Sequence, residues 1–277
     1  MRLVFLTAHT PEGEIQHRYV AKRLADEFPS ELKAIIIATG IKRSAIEKAR
    51  RWWKRYNLPQ IASRIGVRIV GKFGGGDARR QQAFRSVFFP EGESGLMPRR
   101  DILSWVPSHN GPECLELLAA LKPDIVVVYG TLIIGRKVIA ACPRIINIHT
   151  GYSPNYRGSD TVFWALHNAD TDHLGVTVHR LDAGVDTGAI LARGRPEINV
   201  GDSEATLWAK AARLGADLLC AAIRREFAGT SKPMTQNLSW GREYRSVDRS
   251  IAAERKLHRM LSRGLIERGT PEWSEEF

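Results

Sequence analysis

The amino-acid sequence predicts an α/β fold in which a mostly parallel sheet carries helices on both faces. The chain begins with the apolar run RLVFLTA, continues with an amphipathic segment at 14–28, and enters a second apolar run, KAIIIAT, at 33–39. A strand, a helix and a second strand in this order favour a parallel pair with the helix packed on one face. Further along, DIVVVYG at 124–130 is a β-branched run typical of a strand buried on both faces.

The remaining elements follow from composition and period. Further predicted strands are short and rich in β-branched residues: VRIV at 67–70, RIINIHT at 144–150 and GVTVHRL at 175–181. Further predicted helices have apolar residues at helical spacing or an N-terminal cap: 113–121, 160–168 and the segment from Asp202 and Ser203 to Phe227. Residues 71–110 are rich in Gly, Arg, Pro and Ser and show no period, which favours a loop with fragments of structure.

The chain has 277 residues, 43% of them hydrophobic, which is enough to bury a full core. We predict one large domain over residues 1–229, containing a basic and irregular insertion at 42–110. Residues 230–277 are predicted to be a small C-terminal accessory segment. This segment is polar, has a basic helical stretch near 250–263, and shows no strand alternation.

The net charge of +11 is concentrated early in the chain, because residues 1–100 contain 20 Lys and Arg against 9 Asp and Glu. Its densest piece is KRSAIEKARRWWKR at 42–55, with seven basic residues and one acidic residue. Such a segment attracts an anionic substrate, a membrane surface or nucleic acid, or it is a solvated helix face that keeps the protein soluble.

The cysteines and the hydropathy of the sequence indicate the compartment in which the protein is expected. Cys114, Cys142 and Cys220 are widely spaced and form no Cys-x-x-Cys pair, which favours reduced packing residues over a disulfide or metal site. The sequence has no apolar run of about 18 residues, and the apolar core near its N-terminus is too short for a secretory signal. We therefore expect a cytoplasmic protein without a transmembrane segment.

Polar side chains gather at the ends of two predicted strands. Asn147 and His149 are two residues apart, so they share one face of an otherwise apolar strand. A loop containing Arg157 follows this strand, and a loop containing Asp186 follows the strand at 175–181. Because ligands bind at the carboxyl ends of strands in open α/β sheets, these loops predict a binding site.

The ordered motifs NIHTGYSPNYRGSD at 147–160 and GVTVHRLDAGVDTG at 175–188 resemble the signature of the folate-dependent formyltransferases. That family includes glycinamide ribonucleotide, methionyl-tRNA and sugar-nucleotide formyltransferases. The resemblance covers residues 120–225 well and the first 40 loosely. It implies a Rossmann-like formyltransferase fold with its catalytic domain at 1–229. It also implies transfer of a formyl group from the cosubstrate 10-formyltetrahydrofolate to an amine, without a metal. The implied catalytic residues are Asn147, His149 and Asp186.

Formyl transfer requires side chains of the kinds that Asn147, His149 and Asp186 provide. Attack of an amine on the formyl carbonyl develops an oxyanion, and hydrogen-bond donors aimed at that oxygen lower the barrier. Asn147 and His149 can donate, while Asp186 favours a charged imidazole and can receive the amine proton. Taken singly, each residue is compatible with a structural role, such as a packing histidine or an Asx turn. Their occurrence together, in this order and spacing, favours a catalytic role.

The resemblance also implies where the ligands bind. It places the folate, held largely by backbone, against two loops: Leu132, Ile133, Ile134 and Gly135 in the first, and Asp182, Ala183, Gly184 and Val185 in the second. We predict that Arg157, with its neighbour Tyr156, binds an anionic group of the acceptor; the alternative for Arg157 is a loop salt bridge. His179 and the side chain of Asp182 are predicted to be structural. The family commonly has Ser-Leu-Leu-Pro where this chain has Thr150-Gly151-Tyr152-Ser153-Pro154, which affects contacts beside the acceptor.

The acceptor is inferred by elimination. Methionyl-tRNA enzymes of this family carry a further β-barrel domain, and the residues beyond Gly229 lack strand alternation, which argues against a tRNA acceptor or other nucleic-acid partner. Glycinamide ribonucleotide enzymes are typically shorter and lack the basic insertion. We therefore expect a small anionic amine, an amino sugar carried on a nucleotide. A ribonucleotide, an amino acid or a hydroxylamine is the alternative.

Two rival functions are retained. One is a non-catalytic protein that uses residues 42–55 to bind nucleic acid or an anionic membrane on the same scaffold. The other is a hydrolase that releases formate from the same cosubstrate. The intact Asn147, His149 and Asp186 set weighs against the first, and turnover without an amine distinguishes the second.

Overall fold

The computed structural model describes residues 1–8, 14–40, 47, 61, 76–92 and 96–277. The predicted strand at 67–70 and the basic segment 42–55, apart from Glu47, lie outside the described residues. The described strands are β1 (Leu3–Ala8), β2 (Leu32–Ala38), β3 (Leu103–Val106), β4 (Ile125–Tyr129), β5 (Ile145–His149), β6 (Tyr156–Gly158), β7 (Val176–Arg180), β8 (Ile190–Arg195), β9 (Arg242–Tyr244) and β10 (Trp273–Glu276). The described α-helices are α1 (Ile15–Glu27), α2 (Gly76–Phe88), α3 (Pro112–Leu121), α4 (Arg136–Ala141), α5 (Thr161–His167), α6 (Glu204–Ala228) and α7 (Ile251–Ser262).

Most of the described strands form one large sheet, in the order β10-β8-β7-β5-β4-β1-β2-β3. The five strands from β5 to β3 in this order pair in parallel. The other three, β7, β8 and β10, extend the sheet with antiparallel pairings. The predicted mostly parallel α/β sheet is therefore confirmed. A separate two-stranded parallel sheet joins β6 to β9.

Helices cover both faces of the large sheet. Alternate residues of β1 enter different cores: Leu3 and Phe5 pack in the cluster formed with α1, α2 and α6, whereas Val4 and Leu6 pack in the cluster formed with α3 and α4. All four side chains are fully buried. A strand buried on both faces has no polar alternation, which is why β1, β2 and β4 appear in the sequence as continuous apolar runs.

Two elements lie where the sequence predicts a loop with fragments of structure. Helix α2 buries Phe84 and Phe88, with Phe84 stacked 5.0 Å from Trp208 of α6 and Phe88 5.2 Å from Tyr19 of α1. Strand β3 is four residues long and forms the edge of the sheet. Tertiary packing rather than a local pattern stabilises α2, and β3 is too short to show a period.

The predicted C-terminal accessory segment packs against the rest of the described fold. The predicted basic helix agrees with α7, which buries Leu257 against the cluster around α5. Although its sequence shows no strand alternation, the segment contains β9, which pairs with β6, and β10, which pairs with β8 at the edge of the large sheet. Both strands are three or four residues long and largely exposed, so their sequences have no apolar alternation.

The three cysteines are free and buried, in agreement with the prediction of packing residues. Burial raises the pKa of the Cys114 and Cys142 thiols to about 11 and that of Cys220 to about 12. Within the described ranges, no helix is long and apolar enough to cross a membrane.

Candidate active site

The carboxyl end of β5 carries the first two predicted site residues. Asn147 and His149 lie on the same face of the strand, and His149 is buried. Strand β5 pairs with β4 in parallel and with β7 in antiparallel orientation. Its register with β7 places His179 directly opposite Asn147, and Thr177 opposite His149. The change of strand direction therefore brings polar side chains of two strands together at one point.

Asp186 reaches this point from the loop after β7. Its Oδ2 lies 3.3 Å from His149 Nδ1 and accepts a hydrogen bond of 2.9 Å from the Gly158 N–H. Its Oδ1 lies 3.4 Å from His179 Nε2, and that nitrogen is 3.1 Å from Asn147 Nδ2. Asp186 has a φ of 52°, an uncommon left-handed conformation for a residue other than glycine. The structure thus brings the three predicted catalytic residues into one cluster.

The electrostatics of this cluster favour an ionised Asp186. Burial of the carboxyl group by itself would raise its pKa. The opposing attraction of His149, together with His179 and the Gly158 N–H, holds the pKa of Asp186 well below its ordinary range. Because a carboxylate surrounded by donors is a weak base, Asp186 is suited to holding and charging an imidazole rather than to taking up a proton itself.

His179, which the sequence predicts to be structural, lies in the same cluster. Its side chain is 1% exposed, it contacts Asp186 and Asn147, and its Nδ1 lies 2.9 Å from the Arg180 carbonyl oxygen. The signal lies in the pairing of β5 with β7, which places positions 147 and 179 opposite each other. That register depends on topology and cannot be read from either strand alone.

Both ring nitrogens of His149 face oxygen acceptors. Nε2 donates to the Tyr156 carbonyl oxygen at 3.0 Å, while Nδ1 faces the Asp186 carboxylate. The ring can occupy this place because residue 151 is glycine: a Cβ there would collide with His149 Nε2 and with the Tyr156 carbonyl oxygen. Gly151 is one of the positions where the chain departs from the family's Ser-Leu-Leu-Pro.

The first predicted folate loop presents apolar side chains to solvent. Leu132 and Ile133 are 76% and 83% exposed, whereas Ile134 is buried in the core. The side chain of Asn110 fixes the loop, because its Nδ2 donates to the Ile133 carbonyl at 2.9 Å and its Oδ1 accepts from the Gly135 N–H at 2.6 Å. Two large exposed apolar residues on a well-held loop are suited to contact with a flat ring.

The second predicted folate loop is a compact turn. Asp182 Oδ1 accepts hydrogen bonds from the Gly184 N–H at 3.0 Å and from Thr187 Oγ1 at 2.7 Å. Ala183 and Gly184 are exposed, and Val185 is 43% exposed. The Asp182 side chain therefore builds the turn and leaves Val185 as the apolar residue that the loop presents. The role of both loops in folate binding stays a prediction.

The two predicted acceptor-binding residues have internal contacts. Tyr156 is buried, its hydroxyl donates to Asp170 Oδ2 at 3.0 Å, and its ring stacks on Tyr244 at 5.5 Å. Arg157 is also buried, and its Nε donates to the Pro154 carbonyl at 3.3 Å. In the described part of the chain Arg157 forms no ion pair with an acidic residue, so the alternative of a loop salt bridge is not realised there. Their contact with an acceptor stays a prediction.

Among the described residues, no group of three or more His, Cys, Asp or Glu is arranged to hold a metal ion. The cluster of Asn147, His149, His179 and Asp186 instead combines hydrogen-bond donors with one carboxylate. This arrangement can stabilise negative charge on a carbonyl oxygen bound beside it.

Comparison with known proteins identifies the class. The sequence profile of the formyl transferase family matches residues 78–223, more than half of the chain and the whole region that holds the cluster. The protein therefore belongs to the formyl transferase family. Among its relatives is the methionyl-tRNA formyltransferase of Solibacter usitatus, 37% identical over 128 residues, which are 46% of this chain and 41% of the relative. The chain spans about half the length of the curated relatives it matches.

Solved structures share the fold over more of the chain. A sugar N-formyltransferase from a Shewanella species superposes with a TM-score of 0.56 at 14% identity, covering 93% of this chain and 87% of that one. An N-formyltransferase from Helicobacter canadensis, in complex with folinic acid and dTDP-3-aminofucose, superposes with a TM-score of 0.55 at 16% identity, covering 91% and 73%. At these identities the likeness concerns the fold alone.

Proposed function

We propose that the protein transfers the formyl group of 10-formyltetrahydrofolate to a primary amine. The observation that carries this proposal is the convergence of Asn147, His149 and Asp186 on one point, inside the region that matches the formyl transferase family. These side chains come from one strand and from a loop that begins more than thirty residues later. A structural role for each would not require them to meet.

In the proposed reaction the amine nitrogen attacks the formyl carbon and forms a carbon–nitrogen bond. The carbonyl oxygen becomes an oxyanion, which the Asn147 amide stabilises as a donor and which His149 Nε2 reaches once it turns away from the Tyr156 carbonyl. When the oxyanion collapses, the bond between the formyl carbon and the folate nitrogen breaks, and that nitrogen takes a proton in exchange for the one the amine loses. Each donor aimed at the oxyanion contributes roughly 2.7–4 kcal/mol to lowering the barrier.

The low pKa of Asp186 refines its part in this scheme. A carboxylate that is difficult to protonate stabilises a positively charged His149 but accepts the amine proton poorly. We therefore propose that Asp186 orients and charges His149, and that the amine proton leaves through water or through the ring. This role differs from the alternative in which the carboxylate itself is the base.

The exposed apolar residues of the two loops support folate as the formyl donor. Leu132 and Ile133 on one loop and Val185 on the other offer apolar contacts, and both loops follow strands of the sheet. Solved structures of the same fold are named as complexes with folates: folinic acid in the Helicobacter canadensis enzyme, and tetrahydrofolic acid in an Aquifex aeolicus protein with a TM-score of 0.50.

For the acceptor we propose a nucleotide-linked amino sugar. The buried guanidinium of Arg157, without an acidic partner in the described ranges, supports an acceptor with an anionic group. The dTDP-linked amino sugar named in the Helicobacter canadensis structure has such a group in its diphosphate. The second candidate is methionyl-tRNA, which the names of the sequence relatives favour.

A screen of amines with 10-formyltetrahydrofolate tests the proposal. Tetrahydrofolate release and the mass of the formylated product would be followed with a dTDP-linked amino sugar, methionyl-tRNA and glycinamide ribonucleotide in parallel. We expect formylation of the amino sugar and loss of turnover in Asp186→Asn. Preference for methionyl-tRNA would select the second candidate. Equal turnover without any amine would identify a hydrolase, and the absence of saturable folate binding by calorimetry would overturn the proposal.

A further inference from the structure

The part of the chain that follows the family match contacts two segments of the candidate active site. These are the turn at 182–188, here called the Asp186 turn, and the loop at 154–158. The family profile ends at residue 223, and the segment 234–244, here called the C-terminal strap, lies after it. The strap begins at Met234, whose backbone pairs with Ile190 of β8, and ends in β9, which pairs with β6. Between these two attachments it passes the Asp186 turn and the 154–158 loop.

Gln236 makes the contact with the Asp186 turn. Its Nε2 donates to the Asp186 carbonyl oxygen at 3.0 Å and to the Gly188 carbonyl oxygen at 2.6 Å. One amide group therefore uses both of its hydrogens on two carbonyls of the same turn. The side chain is 8% exposed, and its Oε1 has no hydrogen-bond partner in the described part of the chain. Burial of an amide with one end unpartnered is costly, so the two donated bonds must hold it in place.

The C-terminal end of the strap contacts the 154–158 loop, whose backbone groups form hydrogen bonds with His149 and Asp186. The Arg242 N–H donates to the Asn155 carbonyl at 3.0 Å, and the Ser159 N–H donates to the Tyr244 carbonyl at 2.8 Å. Between these two bonds lie the Tyr156 carbonyl, which accepts from His149, and the Gly158 N–H, which donates to Asp186. The strap is thus bonded on both sides of the groups that hold His149 and Asp186.

We infer that Gln236 is a positioning residue that fixes the Asp186 turn, so that the C-terminal strap completes the catalytic centre. Asp186 has a left-handed backbone, and its carboxylate must face His149 on one side and His179 on the other. Anchoring the carbonyls of residues 186 and 188 fixes the 186–187 and 188–189 peptide planes, the first of which follows Asp186 directly. Rotation of either plane would move the carboxylate away from one of its histidines. The effect on turnover rests on the proposed function, but the effect on the histidines does not.

Gln236→Met tests the inference, because methionine keeps the length and volume of the side chain but has no hydrogen to donate. We expect the imidazole nitrogen NMR signals of His149 and His179 to move, while that of the exposed His258 on α7 stays in place. With a verified acceptor, kcat should fall about ten- to hundredfold, as expected for a misplaced catalytic group, with folate affinity nearly unchanged. If Gln236→Met does not fold, Gln236→Asn replaces it, because its shorter side chain cannot reach both carbonyls.

Leu257→Ala is the matched control. Leu257 is buried in α7 within the same C-terminal region, and its core cluster includes the rings of Tyr156 and Tyr244 but neither the Asp186 turn nor the two histidines. It should lower the melting temperature without moving the His149 and His179 signals or reducing kcat. Unchanged signals and kcat in Gln236→Met would overturn the inference, and so would equal effects from Leu257→Ala. Absence of turnover in the wild type would reject the proposed function alone, because the NMR measurement would still decide the role of Gln236.

Discussion

His149 lies between two oxygen acceptors, the Asp186 carboxylate at 3.3 Å and the Tyr156 carbonyl at 3.0 Å. Substitution of either the ring or the carboxylate should therefore act on the transition state and leave folate binding intact. We expect His149→Ala, Asn147→Ala and Asp186→Asn each to lower kcat by roughly 10²–10³-fold, the loss associated with an oxyanion donor that is missing or, for Asp186→Asn, misplaced. Steady-state kinetics with a verified acceptor and calorimetry with a folate analogue separate the two effects.

The same variants should be non-additive. His149 and Asp186 act as a unit, so the double variant should lose less than the product of the two single losses. Near-normal turnover of His149→Ala would contradict the assigned mechanism and return the histidine to a structural role.

A second prediction for a single residue concerns Gly151, which lies against the His149 ring. Gly151→Ala places a Cβ where the His149 ring now lies, so the ring must leave the Tyr156 carbonyl. We expect kcat to fall at least tenfold, since misplacement of a catalytic group by about 1 Å can cost a hundredfold. The measurement is kcat together with the His149 imidazole NMR signals. Unmoved signals would show that the neighbouring backbone accommodates the methyl group.

The lowered pKa of Asp186 also has a consequence for stability. A carboxyl group with a depressed pKa in the folded state stabilises the fold above its unfolded pKa of about 3.9, and this contribution is lost as the pH falls through the folded value. The free energy of unfolding of the wild type should therefore exceed that of Asp186→Asn at pH 7, and the difference should shrink below about pH 4. A constant difference across this range would refute the expectation.

At the scale of elements, local pattern decided which parts of the fold could be predicted. Strands β1, β2, β4, β5 and β7 and helix α6 have distinct apolar runs or stripes, and the structure contains them. The sequence did not predict helix α2, because the helix is rich in Arg and Gln. The two buried phenylalanines that pack on α1 and α6 are too few to show an apolar period. The short strands β9 and β10 were missed because they form by pairing with existing strands and have no core face of their own.

Arg249 joins the C-terminal segment to the main domain. Its guanidinium contacts Asp160 at 3.2 Å, Glu204 at 2.8 Å and Glu254 at 2.6 Å, and it lies 4.0 Å above the Phe163 ring. Burial raises the pKa of Glu204 and Arg249 opposes that shift, so removing the cation leaves a buried carboxylate uncompensated.

We therefore expect Arg249→Met to lower the free energy of unfolding by about 2–3 kcal/mol, somewhat less than for a fully buried pair because the side chain keeps some exposure. Arg255→Met, an exposed position on the adjacent helix α7, is the control and should change stability by less than about 0.5 kcal/mol. Chemical denaturation of both variants makes the comparison. Equal losses would show that the network around Arg249 contributes nothing specific.

At the scale of the whole molecule, the excess of positive charge is confined to the first 100 residues. The 42–55 segment creates a field but offers no group for proton transfer, so it should act on capture of an anionic acceptor. Neutralising Arg50, Arg51, Lys54 and Arg55 together should raise KM severalfold and flatten its dependence on salt, while kcat changes little. Stopped-flow or steady-state measurements across ionic strengths test this. A collapse of kcat with unchanged KM would assign the segment another role.

Long-range geometry explains what the sequence could not predict about the site. Asn147, His149 and Asp186 stand in motifs that are visible in the sequence. His179 joins them through strand register, and Gln236 through a segment that has no motif. Both depend on contacts between distant parts of the chain, which a local pattern does not encode.

The contact of Gln236 with Asp186 spans 50 residues of the chain. Synthesis proceeds at roughly 5–20 residues per second, so on the ribosome the amide emerges several seconds after the turn it holds. During that interval the central strands and both catalytic motifs have already been made, and the Asp186 turn is held by the Asp182 side chain, the Gly158 N–H and the histidines, without the two bonds from Gln236. The nascent protein therefore contains its catalytic side chains before Gln236 is present to fix the Asp186 turn. Activity should appear only once the chain has been made beyond residue 244.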